Sequence, residues 1–250
     1  MELNTIYNEE CIDGMKRITD GSVDMILCDL PYGTTACKWD EIIPFEPLWE
    51  QYKRVIKDNG AVVLTASQPF TSALVMSNPK MFRYEWIWEK EQGVNFLLSK
   101  KQPMKVHENI LVFGRKQTAY YPQMTAGKPY VSGKGDSGEV TGQVKKKQTI
   151  NKGTRFPRSV KLFNRETGLH PTQKPVALFE YLIKTYTNEG ETVLDNCMGS
   201  GTTAIACLNT NRNFIGFELD KEYYDKSIDR INKKEKQLEL LDIQRVRNEN

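Results

Sequence analysis

One stretch, residues 23–33, constrains the chain more than any other: the apolar run VDMILC ends abruptly in an acid, a proline and a tyrosine. Val23, Met25, Ile26, Leu27 and Cys28 have the length and near-continuous apolarity of a strand buried on both faces of a parallel sheet. Asp29 then sits at the strand's carboxyl end, where open α/β sheets bind their ligands. Pro31 restricts Leu30 to extended geometry, so the carbonyls of Asp29 and Leu30 point in fixed directions, and Tyr32 adds a flat ring beside them. An anionic acceptor, a preset carbonyl and an aromatic face together make a receptor for a planar ring bearing an exocyclic amine.

The rest of the first half alternates strands with helices, which predicts an α/β sheet. The segment 5–18 reads as strand, acidic turn and short helix. Residues 44–57 carry helical apolar spacing, ended by Asp58-Asn59-Gly60, and residues 61–67 form the next buried strand. A helix follows to residue 76. Residues 83–88 and 109–113 then read as adjacent antiparallel strands at a sheet edge, with Trp86 and Trp88 as core residues.

Residues 114–169 break this pattern with eight glycines, the run Lys145-Lys146-Lys147 and few apolar residues. Between Arg115 and Arg165 twelve Lys and Arg face only Asp136 and Glu139, a local charge of +10 that leaves −7 for the rest of a chain whose total is +3. Such a basic island, interleaved with Tyr120, Tyr121, Tyr130, Phe156 and Phe163, suits a polyanion. Lys145, Lys146, Lys147, Arg155 and Arg158 are its candidate phosphate-binding residues. The competing reading, a solvated loop, stays open for residues 133–147.

The last part holds two further signals. HPTQKP at 170–175 precedes a helical pattern running to residue 187. Then residues 191–220 read as a strand, the tight turn Gly199-Ser200-Gly201, a helix from Thr202, and a second strand ending at Glu218. Glycines admit a ligand close to the backbone, the helix start offers free N–H groups, and Glu218 can accept both hydroxyls of a ribose. G-S-G-T-T-A also satisfies the dinucleotide fingerprint, so a nicotinamide enzyme is an alternative at this point. Position argues against it: a dinucleotide domain needs further strand–helix units, and residues 221–241 look like one charged helix.

Asp29-Leu30-Pro31-Tyr32 resembles motif IV of the DNA amino methyltransferases, usually D/N/S-P-P-Y/F, with Leu30 in place of the first proline. HPTQKP resembles motif X of the same family, and the glycine turn resembles motif I, with Asp195 kept and Asn196-Cys197-Met198 where the family commonly has Pro-Phe. The order, with motif IV first and the glycine turn last, is that of the permuted β class. The resemblance implies a Rossmann-like, mostly parallel seven-stranded sheet with an antiparallel edge, helices on both faces and a small basic insertion. Residues 1–114 would form the catalytic half, 115–169 the target-recognition insertion and 170–250 the cofactor half.

It further implies methyl transfer from S-adenosylmethionine to adenine N6 in double-stranded DNA after base flipping. Cytosine N4 is the alternative; Asp29, rather than Ser, at the head of motif IV favours adenine. By this resemblance Asp29, Leu30, Pro31 and Tyr32 are catalytic. The cofactor would meet Glu10 and Cys11 (aligned with motif III), Asp29, His170, Thr172, Lys174, Asp195, Gly199, Ser200, Gly201, Thr202, Thr203 and Glu218, with Lys174 on its methionine carboxylate. No metal is required. A cognate restriction endonuclease and a second copy of the chain are partners left open, and an RNA substrate or a catalytically inactive DNA-binding protein are the weaker alternatives.

Composition removes other classes. Five cysteines form no C-x-x-C pair, and none follows a proline, which leaves no Pro-Cys nucleophile for cytosine C5 methylation. No apolar run approaches roughly 18 residues and the first residues lack a signal-peptide pattern, so a cytoplasmic protein without a membrane partner is expected.

Overall fold

The computed structural model describes residues 1–34, 40–133, 135–136, 145–146, 148–166 and 173–249. Its chain forms two compact units, Met1–Tyr121 with Ser159–Asn250, and Pro122–Arg158.

The larger unit is built on an eight-stranded sheet. Its strands are β1 (Thr5–Tyr7), β2 (Val23–Cys28), β3 (Ile56–Ala66), β4 (Phe82–Val94), β5 (Lys105–Phe113), β12 (Val160–Leu162), β13 (Thr192–Asp195) and β14 (Asn213–Phe217). They lie in the order β1-β14-β13-β2-β3-β5-β4-β12. From β1 to β3 neighbouring strands are parallel; β5 runs antiparallel to β3 and β4, and β12 is parallel to β4. Successive residues of β2 feed opposite faces, Ile26 and Cys28 one core, Met25 and Leu27 the other. The first core is closed by α1 (Cys11–Met15), α2 (Phe45–Val55) and α3 (Phe70–Ser77) through Met15, Leu48, Tyr52 and Leu74. The second is closed by α4 (Val176–Tyr186), α5 (Thr202–Asn209) and α6 (Lys221–Glu249) through Leu182, Tyr186, Ala206 and Ile231. Burial on both faces is why these strands are continuously apolar.

The position of β2 decides where ligands can bind. It lies beside β13, yet β2 crosses over through α2 to β3 on one side while β13 crosses through α5 to β14 on the other. Oppositely directed crossovers from adjacent parallel strands leave a crevice above their carboxyl ends. Asp29 follows β2 and Asp195 ends β13, so both acids stand at that crevice.

Three expectations are corrected. The sheet has eight strands rather than seven, because Val160–Leu162 pairs with Ile87–Glu89 at the edge beyond β4. For the same reason the compact basic unit is residues 122–158, not 115–169: the flanks of the expected insertion pack with the main body. Asp58-Asn59-Gly60 does not end a helix. α2 stops at Val55 and these residues belong to β3, where Val23 pairs with Ile56 but Met25 pairs with Ala61, so Lys57 to Gly60 bulge out of the ladder. A Cβ on Gly60 would stand 2.8 Å from the Asp24 carbonyl, so the close approach of this bulge needs glycine.

Among the described residues the smaller unit holds six two-residue strands, β6 (Thr125–Ala126), β7 (Tyr130–Val131), β8 (Gly135–Asp136), β9 (Lys145–Lys146), β10 (Ile150–Asn151) and β11 (Thr154–Arg155), paired antiparallel as β6 with β11, β7 with β10 and β8 with β9. Among the described residues no helix is long and apolar enough to cross a membrane.

Candidate active site

A cavity of about 1130 Å³ opens at the switch point. The early half of the chain lines it with Asp29, Leu30, Pro31 and Tyr32, and the late half with Asp195, Gly199, Ser200, Thr202, Thr203 and Glu218. Two motifs separated by more than 160 residues of sequence thus line one cavity, as the amine-receptor and nucleoside-site readings require.

On the early side, the Asp29 carboxylate is held at both oxygens. Oδ1 accepts the Tyr32 hydroxyl at 2.8 Å and also the hydroxyl of Thr65 from β3. Oδ2 accepts the Lys174 ammonium at 2.6 Å. Lys174, only 6% exposed, also lies 3.5 Å from Glu108, which in turn accepts Lys90 at 2.5 Å. The result is a line of alternating charges, Lys90, Glu108, Lys174, Asp29, running along the cavity wall. Burial disfavours charge on Lys174, but Asp29 and Glu108 outweigh it and raise its pKa above that of an ordinary lysine. Burial likewise opposes ionisation of Glu108, and Lys174 and Lys90 overcome it and lower its pKa.

In this arrangement the Lys174 ammonium is engaged by two carboxylates, Asp29 and Glu108. Tyr32 is also not a bare platform: Phe70 stacks on it with ring centroids 5.2 Å apart and an interplanar angle of 23°. Sequence reasoning does not find Thr65, Phe70, Lys90 or Glu108. Thr65 carries a signal, as a polar residue inside an otherwise apolar strand. The other three carry none, because only the sheet brings β4, β5 and α3 to β2.

On the late side, Gly199 has φ +54° and Gly201 φ +82°, left-handed conformations that glycine adopts at little cost. A Cβ on Gly199 would meet only the Cys197 carbonyl at 4.0 Å, whereas one on Gly201 would lie 3.1 Å from Ser227 of α6. Gly201 packs against α6, while Gly199, Ser200, Thr202 and Thr203 around it line the cavity. Glu218 receives the Gly199 N–H at 2.7 Å and the Asp220 N–H at 2.8 Å, while burial raises its pKa. Asp195 accepts the Cys197 N–H at 3.0 Å and the Thr203 hydroxyl, yet burial pushes its carboxyl up to about 6. An acid whose ionisation is opposed by burial, at the wall of an open cavity, suits a cationic ligand, and Glu218 nearby suits a diol.

Glu10 stands at the start of α1. Its two oxygens accept the N–H groups of Ile12 and Asp13 at 2.9 and 2.8 Å, so it caps α1, and with Cys11 it borders the cavity. His170 and Thr172 lie outside the described residues, as does Lys147. In the smaller unit Lys145 and Lys146 form β9 opposite Asp136 and Gly135. Arg155 is not a free cation: it donates to Asn151 Oδ1 at 2.7 Å and to the Thr154 and Lys128 carbonyls, and covers the Tyr130 ring at 4.8 Å. Arg158 is exposed.

Comparison with known proteins agrees with this geometry. The family model N6_N4_Mtase, described as DNA methylase, matches residues 23–229. The type II methyltransferase M1.MboII of Moraxella bovis is 27% identical over 91% of the chain and 96% of its own length. The DNA adenine methyltransferase YhdJ of Escherichia coli is 28% identical over 92% of the chain and 83% of its own length. Among solved structures, the cytosine-N4-specific PvuII DNA methyltransferase superposes with a TM-score of 0.65 at 12% identity, covering 90% of this chain and 84% of that one, a likeness of fold.

Proposed function

The chain belongs to the N6/N4 DNA methylase family, whose cofactor is S-adenosylmethionine, and on that premise we propose that it methylates adenine N6 in double-stranded DNA after flipping the base into the cavity. One observation carries the reading: Asp29 to Tyr32 and the turn around Gly199 line the same cavity at the sheet's switch point. Asp29 in place of serine, and the likeness to an adenine methyltransferase, favour adenine over cytosine.

The residues on the late wall fit the cofactor. Asp195 would meet the cation and Glu218 the ribose hydroxyls, and Gly199, Ser200, Thr202 and Thr203, which line the same cavity, would hold the remainder. When bound, S-adenosylmethionine supplies an electrophilic methyl group on a positively charged sulfur. The chain's part is to make a poor nucleophile attack. Asp29 and the Leu30 carbonyl accept the two amine hydrogens, drawing the nitrogen toward sp3 character and exposing its lone pair. The amine takes the place on Asp29 Oδ2 that the Lys174 ammonium holds, and Glu108, 3.5 Å from that ammonium, retains it. Tyr32, stacked on Phe70 and with the Lys174 ammonium 5.5 Å from its ring centroid, would contact the base once that lysine gives way, and Asp29 would meet the positive charge that develops on nitrogen.

The basic unit, through Lys145, Lys146, Lys147 and Arg158, contributes to DNA binding in this reading, and the type II names of the relatives suggest a cognate endonuclease as counterpart. Incubation of DNA with enzyme and cofactor, digestion to nucleosides and mass analysis tests the assignment. N6-methyladenine is expected, lost in Asp29→Ala; N4-methylcytosine alone would overturn the choice of base, and full activity of Asp29→Ala the mechanism.

A further inference from the structure

The hairpin joining β4 to β5 ends in a turn that the catalytic reading does not use. Phe96, Leu97 and Leu98 at its tip are 74%, 96% and 42% exposed. They are not on a loose loop. The turn is closed by four backbone hydrogen bonds, from Leu98 to Asn95, Ser99 to Phe96, and Lys101 and Gln102 to Leu98, at 2.8 to 3.0 Å. At the neck, a Cβ on Gly93 would stand 2.8 Å from Met104, so glycine lets the two arms close tightly. A rigid turn that presents three consecutive large apolar side chains to solvent needs a partner to cover them.

Two observations identify that partner. The residues just before the tip, Val94 and Asn95, line the active-site cavity, so the apolar turn begins where the wall ends. Lys100 and Lys101 follow after Ser99 and are exposed, which places cations beside the apolar tip. Apolar side chains flanked by lysine match a duplex entered between its base pairs: the lysines meet phosphates while the apolar group takes the place of stacked bases.

We propose that the Phe96–Leu98 turn is a wedge, with Leu97 at its point, that enters the DNA duplex and fills the space a flipped target base leaves behind. The proposal rests on the base-flipping reading above. Flipping breaks stacking and pairing on both sides of the target, and a side chain that occupies the gap stabilises the open duplex and slows the return of the base.

The test compares Leu97→Ala with the wild-type enzyme on two duplexes carrying the methylated site, once that site is mapped by sequencing modified bases. In one the target base is paired, and in the other an abasic position faces it, so that little pairing remains to be broken. Leu97→Ala should lose roughly tenfold to hundredfold in kcat/KM on the paired duplex and recover most of that loss on the opened one, because each tenfold corresponds to about 1.4 kcal/mol of the few that flipping costs. Binding of S-adenosylmethionine should not change, since the residue is solvent-exposed and does not line the cavity. Wild-type activity on the paired duplex, or an equal loss on both duplexes, overturns the wedge. A change in oligomeric state together with that equal loss assigns the turn to a second copy of the chain instead. If the wild-type enzyme binds the opened duplex no more tightly than the paired one, base flipping itself fails and the wedge with it.

Discussion

Replacing Lys174 with methionine should show how much the line of charges beside Asp29 contributes to the fold. Methionine keeps the length of the apolar stem and removes only the ammonium. At 2.6 Å from Asp29 the ion pair is worth roughly 6 kcal/mol of attraction for an effective dielectric constant of about 20, before the cost of burying the charge is subtracted. Asp29 is a quarter exposed, which weakens its share, but Glu108 is only 13% exposed and would face the cavity with Lys90 as its remaining ion-pair partner. Breaking a buried pair from one side typically costs about 3–5 kcal/mol, so Lys174→Met should destabilise the protein by about 3 kcal/mol near pH 7.

The pH dependence follows from the two shifts. The lowered pKa of Glu108 contributes stability above the ordinary glutamate value and loses it as pH falls through the folded value. The raised pKa of Lys174 contributes stability at every pH below the ordinary lysine value, and loses it only as pH climbs through the folded one. The gap between wild type and variant should therefore be constant from neutral to mildly alkaline pH and should narrow at pH 4. Urea unfolding followed by tryptophan fluorescence measures it at both pH values, and adding Glu108→Gln to Lys174→Met should recover part of the loss. A cost below about 1 kcal/mol at pH 7, or an equal gap at pH 4, would mean that water screens the pair and that the reasoning is wrong.

Three other outcomes are expected. Because burial holds the Asp195 carboxyl at about 6, it is largely protonated at pH 5 and a cationic cofactor loses its partner there: affinity for S-adenosylmethionine, read by calorimetry, should weaken roughly tenfold from pH 7 to pH 5 and flatten in Asp195→Asn. Equal affinity at both pH values would remove Asp195 from cofactor binding. Gly14→Ala should destabilise by about 1–3 kcal/mol in thermal or urea unfolding, since its Cβ would stand 2.3 Å from the ring of the fully buried Phe217, and unchanged stability would show that the ring can move aside. Replacing Lys145, Lys146 and Lys147 together with alanine should weaken DNA binding and make its logarithmic dependence on salt shallower by up to about 3, one for each phosphate no longer neutralised; an unaltered slope would leave these lysines as solvated residues.

Local order was legible in the residues themselves. Continuous apolarity marked β2 as a strand buried on both faces and residues 61–67 as the next buried strand, and glycine at 199 and 201 marked a tight turn before α5. In both cases the physical cause is local: side-chain period for the strands, the missing Cβ for the turn. The acids at the strand ends, Asp29, Asp195 and Glu218, were readable for the same reason.

What sits around those acids was decided only in three dimensions. A lysine in a proline motif carries no sign that its partners are carboxylates on β2's end and on β5, nor a threonine on β3 that it holds the same oxygen as Tyr32. Nothing in the sequence around Glu10 shows that its two oxygens cap α1 at the cavity's edge. Val160–Leu162 is too short and too exposed to announce itself as a strand; it becomes one because β4 presents an unpaired edge to it. Periodicity and backbone conformation are properties of neighbours in sequence, while charge pairing, helix capping and edge pairing go to whichever group the folded sheet brings within reach.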